Sequence, residues 1–166
     1  ITDIDSDRQG RVWIAGRKGL CRFDQREFHP IASLTDIWVS KLILDSQGAM
    51  WIGTQQGLWL SKDNKLSALS EFNNYQIFDI LQDKDGSMWL ATSAGVFKSD
   101  GDSYQRFELL DWPIKDLSID SQGVIFLVDG NHIWSYQTKN NHIKKSKMPR
   151  EAQNILAVKD RLWVWQ

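Results

Sequence analysis

The sequence predicts an all-β fold built from one repeated four-stranded unit, and three observations carry that expectation. The turn motif Asp-x-x-Gly recurs at a nearly constant interval. An aromatic side chain follows each of its glycines by three positions. No segment sustains a 3.6-residue apolar period, so helices are expected to be scarce.

The turns are Asp7–Gly10, Asp45–Gly48, Asp83–Gly86 and Asp120–Gly123. Gly10, Gly48, Gly86 and Gly123 are separated by steps of 38, 38 and 37. The aromatics Trp13, Trp51, Trp89 and Phe126 keep the same steps, and a further 37 residues lead to Trp163. A second anchor stays in register with the first: Gly19-Leu20, Gly57-Leu58, Gly95-Val96 and a degenerate His132-Ile133. Two anchors held together over this distance identify a true repeat. The units run approximately over 1–38, 39–76, 77–113 and 114–150, with a partial fifth over 151–166.

Each element of the unit has a physical reason. A short apolar strand precedes the Asp, as in Val39–Leu44, Ile77–Gln82 and Ile114–Ile119. The Asp side chain can accept backbone N–H groups in the turn, and Gly supplies the positive φ. The second strand is rich in aromatic and β-branched residues, as in Val12-Trp13-Ile14. A turn at the second anchor leads to a third strand, such as Leu58-Trp59-Leu60. A more polar fourth strand closes the unit: Glu27–His29, Lys65–Ser67, Tyr104–Phe107 and His142–Lys144. Trp59 and Trp134, on third strands, read as packing residues.

Four-stranded meanders of ~40 residues in series are the signature of β-propeller blades. The expectation is a propeller segment of four antiparallel blades and the start of a fifth, cut from a larger ring. The aromatics at 13, 51, 89, 126 and 163 are then expected to fill the wedges between blades. Burying such a ring removes ~150–250 Å² from water. At ~25 cal/mol per Å² this stabilises by at most ~4–6 kcal/mol.

Composition narrows the function. The 166 residues hold 20 basic and 21 acidic side chains, a net charge of −1. That balance gives no electrostatic basis for nucleic-acid binding. The basic run His142–Lys147 reads as a solvated strand face. Cys21 is the single cysteine, so no internal disulfide can form. No apolar run approaches the ~20 residues of a membrane span. The chain opens at Ile1 and stops at Gln166 within the pattern, which reads as a piece of a longer protein whose membrane anchor lies outside it. His29, His132 and His142 lack metal-ligand spacing, Asp83-Lys84-Asp85-Gly86 lacks the remaining ligands of a calcium loop, and no Gly-rich phosphate loop precedes a helix. No catalytic residues, metal or cofactor are expected.

The closest copies of the unit, Gln47-Gly48-Ala49-Met50-Trp51-Ile52-Gly53-Thr54-Gln55-Gln56-Gly57-Leu58 and Asp85-Gly86-Ser87-Met88-Trp89-Leu90-Ala91-Thr92-Ser93-Ala94-Gly95-Val96, resemble the two-component regulator propeller repeat. The Gly-His…Trp-Asp pairing of WD-type repeats is absent. The fourth unit departs from the pattern with Phe126 for Trp and Val128-Asp129 for Gly-Thr, and the fifth has Asp160 where the Gly belongs. The resemblance implies a ring of seven-bladed type, the periplasmic sensor propeller of a bacterial membrane receptor, with a histidine kinase or diguanylate cyclase as output. It also implies a small-molecule ligand, oligosaccharides among the possibilities.

The meander places its second-to-third strand turns and its blade-to-blade connections at one end. Propeller ligands commonly bind there, by fold-level analogy. That end should carry Arg17, Lys18, Gln55, Gln56, Ser93, Ala94 and Asn131, with the connections around Ile37-Trp38, Asn73-Asn74-Tyr75 and Asp111-Trp112. Trp38, Tyr75 and Trp112 lie 7, 8 and 8 residues before their turn Asp. They are either stacking platforms for sugar rings or gap-fillers at blade entry. Asp3, Lys41, Asp79 and Asp116 share one position on the first strands, where they either line a channel or are solvated or mutually paired charges. Three functions follow: a ligand sensor, a protein-interaction scaffold with possible self-association, or a non-catalytic part of a carbohydrate-active enzyme.

Overall fold

The structure, a computed structural model, describes residues 1–100, 103–107, 112–148, 151–158 and 161–166. Asp111 and Asp160, which figure in the expectations above, lie outside the described residues. The strands are β1 (Asp3–Ser6), β2 (Val12–Gly16), β3 (Gly19–Asp24), β4 (Glu27–Pro30), β5 (Val39–Leu44), β6 (Met50–Thr54), β7 (Gly57–Lys62), β8 (Lys65–Leu69) and β9 (Ile77–Gln82). They continue with β10 (Met88–Thr92), β11 (Gly95–Asp100), β12 (Ser103–Arg106), β13 (Asp116–Ile119), β14 (Val124–Val128), β15 (His132–Gln137), β16 (His142–Lys147), β17 (Asn154–Val158) and β18 (Arg161–Trp165). They form four four-stranded sheets in sequential order and a final pair, β17-β18. This is the blade series of a β-propeller. The chain divides into two units, Ile1–Ile80 and Leu81–Gln166.

The turns form for the reasons their residues suggest. The N–H of Gly10, Gly48, Gly86 and Gly123 donates to the carbonyl of the turn Asp at 3.0, 3.0, 3.0 and 3.2 Å. All four glycines have positive φ, between 76° and 95°. The Asp7 carboxylate accepts the N–H groups of Gln9 and Arg11, Asp45 those of Gln47 and Ala49, and Asp120 those of Gln122 and Val124. Among the described residues, helix is limited to two 3-10 turns, Ala32–Leu34 and Ser70–Phe72. They sit at equivalent points of consecutive repeats and bury Leu34 and Phe72. A Cβ on Gly19 would come within 2.6 Å of the Leu34 carbonyl oxygen, so the second anchor glycine serves close backbone approach as well as its φ of 125°.

Packing between blades is visible within each unit. Trp13 joins Ala15 and Leu20 of the first sheet to Val39, Leu42, Met50 and Ile52 of the second in one buried cluster. Phe126 packs on a cluster of Val128, Met148, Ala152 and Ile155. Trp89 lies 5.3 Å from the ring of Tyr136, and Trp51 is buried.

Hydrogen bonds from side chains on first strands reinforce these contacts. Asp3 and Asp5 accept the N–H groups of Leu42 and Leu44 at 2.9 and 2.8 Å. Asp116 and Ser118 accept those of Ile155 and Ala157 at 2.7 and 2.8 Å. The Lys41 ammonium lies 3.1 Å from the Asp79 carboxylate. At this shared position Lys41 pairs with Asp79, while Asp3 and Asp116 hold backbone N–H groups of the next blade.

Trp163, on the last strand β18, is 57% exposed. One expectation is corrected. The fourth first strand begins at Asp116, not Ile114. Pro113 cannot donate to a ladder and restricts the residue before it, which delays regular pairing.

Candidate ligand-binding surface

In the first unit, the β2–β3 turn presents Arg17 and Lys18 to solvent. The connection into β5 folds against this turn. The Asp36 N–H donates to the Lys18 carbonyl at 3.1 Å, and the Gln55 N–H donates to the Trp38 carbonyl at 3.0 Å. The Arg17 guanidinium lies 5.9 Å from the Trp38 ring centroid, within cation–π range. Arg17 thus stands over the half-buried Trp38 indole, while Gln55 and Lys18 are tied to the same connection through backbone hydrogen bonds. Gln56 is exposed beside them, its N–H capped by Thr54 Oγ1 at 3.1 Å. Tyr75, in the next connection, is half-buried and packs edge-on against Phe72 at 6.4 Å.

In the second unit, Trp112 lies 5.3 Å from Trp134. The Lys145 ammonium lies 5.6 Å from the first ring centroid and 4.6 Å from the second. Trp134 Nε1 donates to Asp129 Oδ2 at 3.1 Å, and His132 Nδ1 lies 3.1 Å from the same oxygen. Exposed Asn131 gives its N–H to Asp129 Oδ1 at 2.9 Å. Burial alone would raise the Asp129 pKa. The donors from Asn131, Trp134 and His132 outweigh it and hold the carboxyl below its ordinary value.

The position explains the chemistry. Thr54 and Thr92 cap the equivalent turns by donating to the Gly57 and Gly95 carbonyls and accepting the Gln56 and Ala94 N–H groups. Asp129 replaces that Thr and caps its turn as an Asx residue, which leaves Oδ2 for the indole and the imidazole.

Trp134, a packing residue by its place on a third strand, also belongs to this cluster, and no spacing in the sequence joins His132, Asp129 and Lys145 to Trp112. The available signal was the departure of Val128-Asp129 from the Gly-Thr pattern. The meeting of Trp134 with Lys145 depends on the β15–β16 register, which pairs them directly. Trp38 and Trp112 also share a feature: each indole nitrogen is buried without a hydrogen-bond partner among the described residues. Both rings are therefore inserted edge-first, with a cation over the ring. The described residues contain no cluster of three or more His, Cys, Asp or Glu side chains able to hold a metal.

Comparison with known proteins agrees with the repeat. Residues 33–56 and 71–94 match the two component regulator propeller. No curated protein matches the chain. Among solved structures, the extracellular domain of a hybrid two component system from B. thetaiotaomicron superposes with a TM-score of 0.79 at 20% identity. That match covers 100% of this chain and 28% of the other. Virginiamycin B lyase from Staphylococcus aureus superposes with a TM-score of 0.72 at 15% identity, covering 98% of this chain and 61% of the lyase. An ancestral GH74 enzyme gives 0.74 at 10% identity, covering 93% of this chain and 27% of the enzyme. The chain thus spans between about a quarter and three fifths of these proteins, and the likeness is one of fold.

Proposed function

We propose that this chain is the ligand-sensing propeller region of an extracytoplasmic bacterial signalling receptor. The observation that carries the reading is the pair of regulator propeller repeats at 33–56 and 71–94. The fold likeness to the extracellular domain of a hybrid two component system supports it. The region lies in the periplasm, binds rather than catalyses, and passes its state to an output domain elsewhere in the receptor.

The ligand is a small molecule of the oligosaccharide class, held where the connections enter the repeats. Aromatic faces stack on the C–H face of a sugar ring. In the first unit Trp38 and Tyr75 offer such faces, with Arg17, Lys18, Gln55 and Gln56 as donors for its hydroxyls; in the second, taken by itself, Trp112 does so with Asn131.

A thermal-shift screen of the protein against an oligosaccharide panel tests this. A glycan present well above its dissociation constant should raise stability by ~2–4 kcal/mol. Trp38→Ala or Trp112→Ala should abolish the shift while leaving the unliganded protein folded. No shift with any glycan, from folded protein, contradicts the glycan reading.

A further inference from the structure

The first unit holds a second concave feature, at the other end of its strands from Arg17 and Trp38. It is a cavity of about 260 Å³ between the β1–β2 turn of the first sheet and the β5–β6 and β7–β8 turns of the second. Gln9 and Arg11 line it on one side, Ser61, Asp63 and Asn64 on the other. We propose that this cavity binds a small zwitterion of the α-amino acid class, with Arg11 taking the carboxylate and Asp63 the ammonium group.

The turn itself does not need Arg11. Its equivalents, four positions after the turn Asp, are Ala49, Ser87 and Val124. The Arg11 side chain instead reaches across to the second sheet. Its Nε donates to Asp7 Oδ2 at 2.6 Å, Nη1 to Asn64 Oδ1 at 2.7 Å and Nη2 to Gln9 Oε1 at 3.3 Å. The Asp7 contact fixes the guanidinium from one side. The two Nη atoms meet only neutral amide oxygens, both on exposed residues. A carboxylate accepting from both Nη atoms makes charge-assisted bonds that are stronger than those to two amides. The displaced Gln9 and Asn64 side chains keep donors and acceptors to offer the ligand.

Asp63 supplies the opposite charge. Lys62 pairs with Lys65, so Asp63 and Asn64 form a two-residue hairpin turn, with φ of 50° and 61°. That turn puts Asp63 beside Asn64 on the cavity wall. Among the described residues no cation lies within ion-pair distance of the Asp63 carboxylate. Asp7 and Arg11 neutralise each other, so the cavity carries one unbalanced negative charge. A carboxylic acid alone would add a second. An amine alone would leave the Arg11 fork on its amides. A zwitterion satisfies both groups. The volume falls below the ~300–1,000 Å³ of pockets for drug-sized ligands, which suits a single amino acid better than an oligosaccharide.

Trp13 reports on this cavity, because its Nε1 donates to Asp7 Oδ2, the oxygen that also holds Arg11 Nε. The test is a titration of 15N-labelled protein with the protein amino acids, one at a time, observing the indole N–H resonances. At least one should move the Trp13 resonance saturably while Trp38 stays in place. The N-acetyl form of the strongest binder lacks the ammonium group and its amide lacks the carboxylate, so each should bind at least about tenfold more weakly. Asp63→Asn should weaken the free amino acid by about the same factor. Asn tolerates the left-handed turn conformation, so this variant should fold, and its unliganded spectrum checks that. No movement of Trp13 with any amino acid overturns the proposal, as does movement of Trp38 alone. Equal affinity for the N-acetyl form, or in Asp63→Asn, overturns it too.

Discussion

Asp45 satisfies three donors with one carboxylate: the N–H groups of Gln47 and Ala49, and Trp51 Nε1 at 2.8 Å. Asp7 does the same with Gln9, Arg11 and Trp13, and adds the Arg11 guanidinium at 2.6 Å. Each repeat aromatic of this kind is held as well as buried. Unsatisfied buried donors cost about 1–3 kcal/mol each, so Asp45→Ala should lose about 2–4 kcal/mol in denaturant unfolding. Trp51→Ala should lose about 3–5 kcal/mol.

Asp7 also predicts a pH dependence. Burial would raise its pKa, but the Trp13 indole and Arg11 contacts outweigh it, and the folded value is lowered. A lowered folded value makes the contribution complete above the ordinary Asp value of about 3.9, and loses it as pH falls through the folded value. Melting curves from about pH 5 to about pH 2 should show a shallower acid loss in Asp7→Asn than in the wild type.

The Asp and Trp were both evident from the repeat. Their hydrogen bond was not, because a six-residue spacing across a turn specifies no geometry until the register is known. Trp89 illustrates this: its nitrogen has no partner among the described residues, although Asp83 stands six positions earlier.

Between elements, first strands are tied by short acidic or hydroxyl side chains reaching across one repeat. Asp5→Ala should leave the Leu44 N–H without its partner, and hydrogen exchange at Leu44 should quicken about tenfold. The second anchor is more demanding. Gly19→Ala must move the Leu34 backbone or abandon its φ of 125°, and should lower stability by about 1–3 kcal/mol. The glycine position was legible as a recurring letter. Its cause was not, because the 3-10 turn that presses on it is only three residues long and carries no periodic pattern. First, second and third strands could be placed closely from alternation and turns. Pro113 shifted one boundary.

At the scale of the whole chain, the 37–38-residue period determines nearly all that can be said of architecture, since each sheet repeats one solution. The proposed ligand-binding surface draws on side chains that differ from repeat to repeat around a shared aromatic position. Arg17, Trp38 and Gln55 gather in the first unit, and Trp112, Trp134, Lys145 and Asp129 in the second. The candidate positions were readable from turn placement in a meander. The cations over the indoles were not, because they come from neighbouring turns and strands whose side-chain reach the sequence does not state.

The most direct measurement is a titration of 15N-labelled protein with oligosaccharide, observing the indole N–H resonances of its 9 tryptophans. The account predicts that Trp38 and Trp112 move, while Trp13, Trp51 and Trp89, enclosed in the blades, stay in place. Movement confined to Trp163 and Trp165, or no movement with any glycan class, would contradict it.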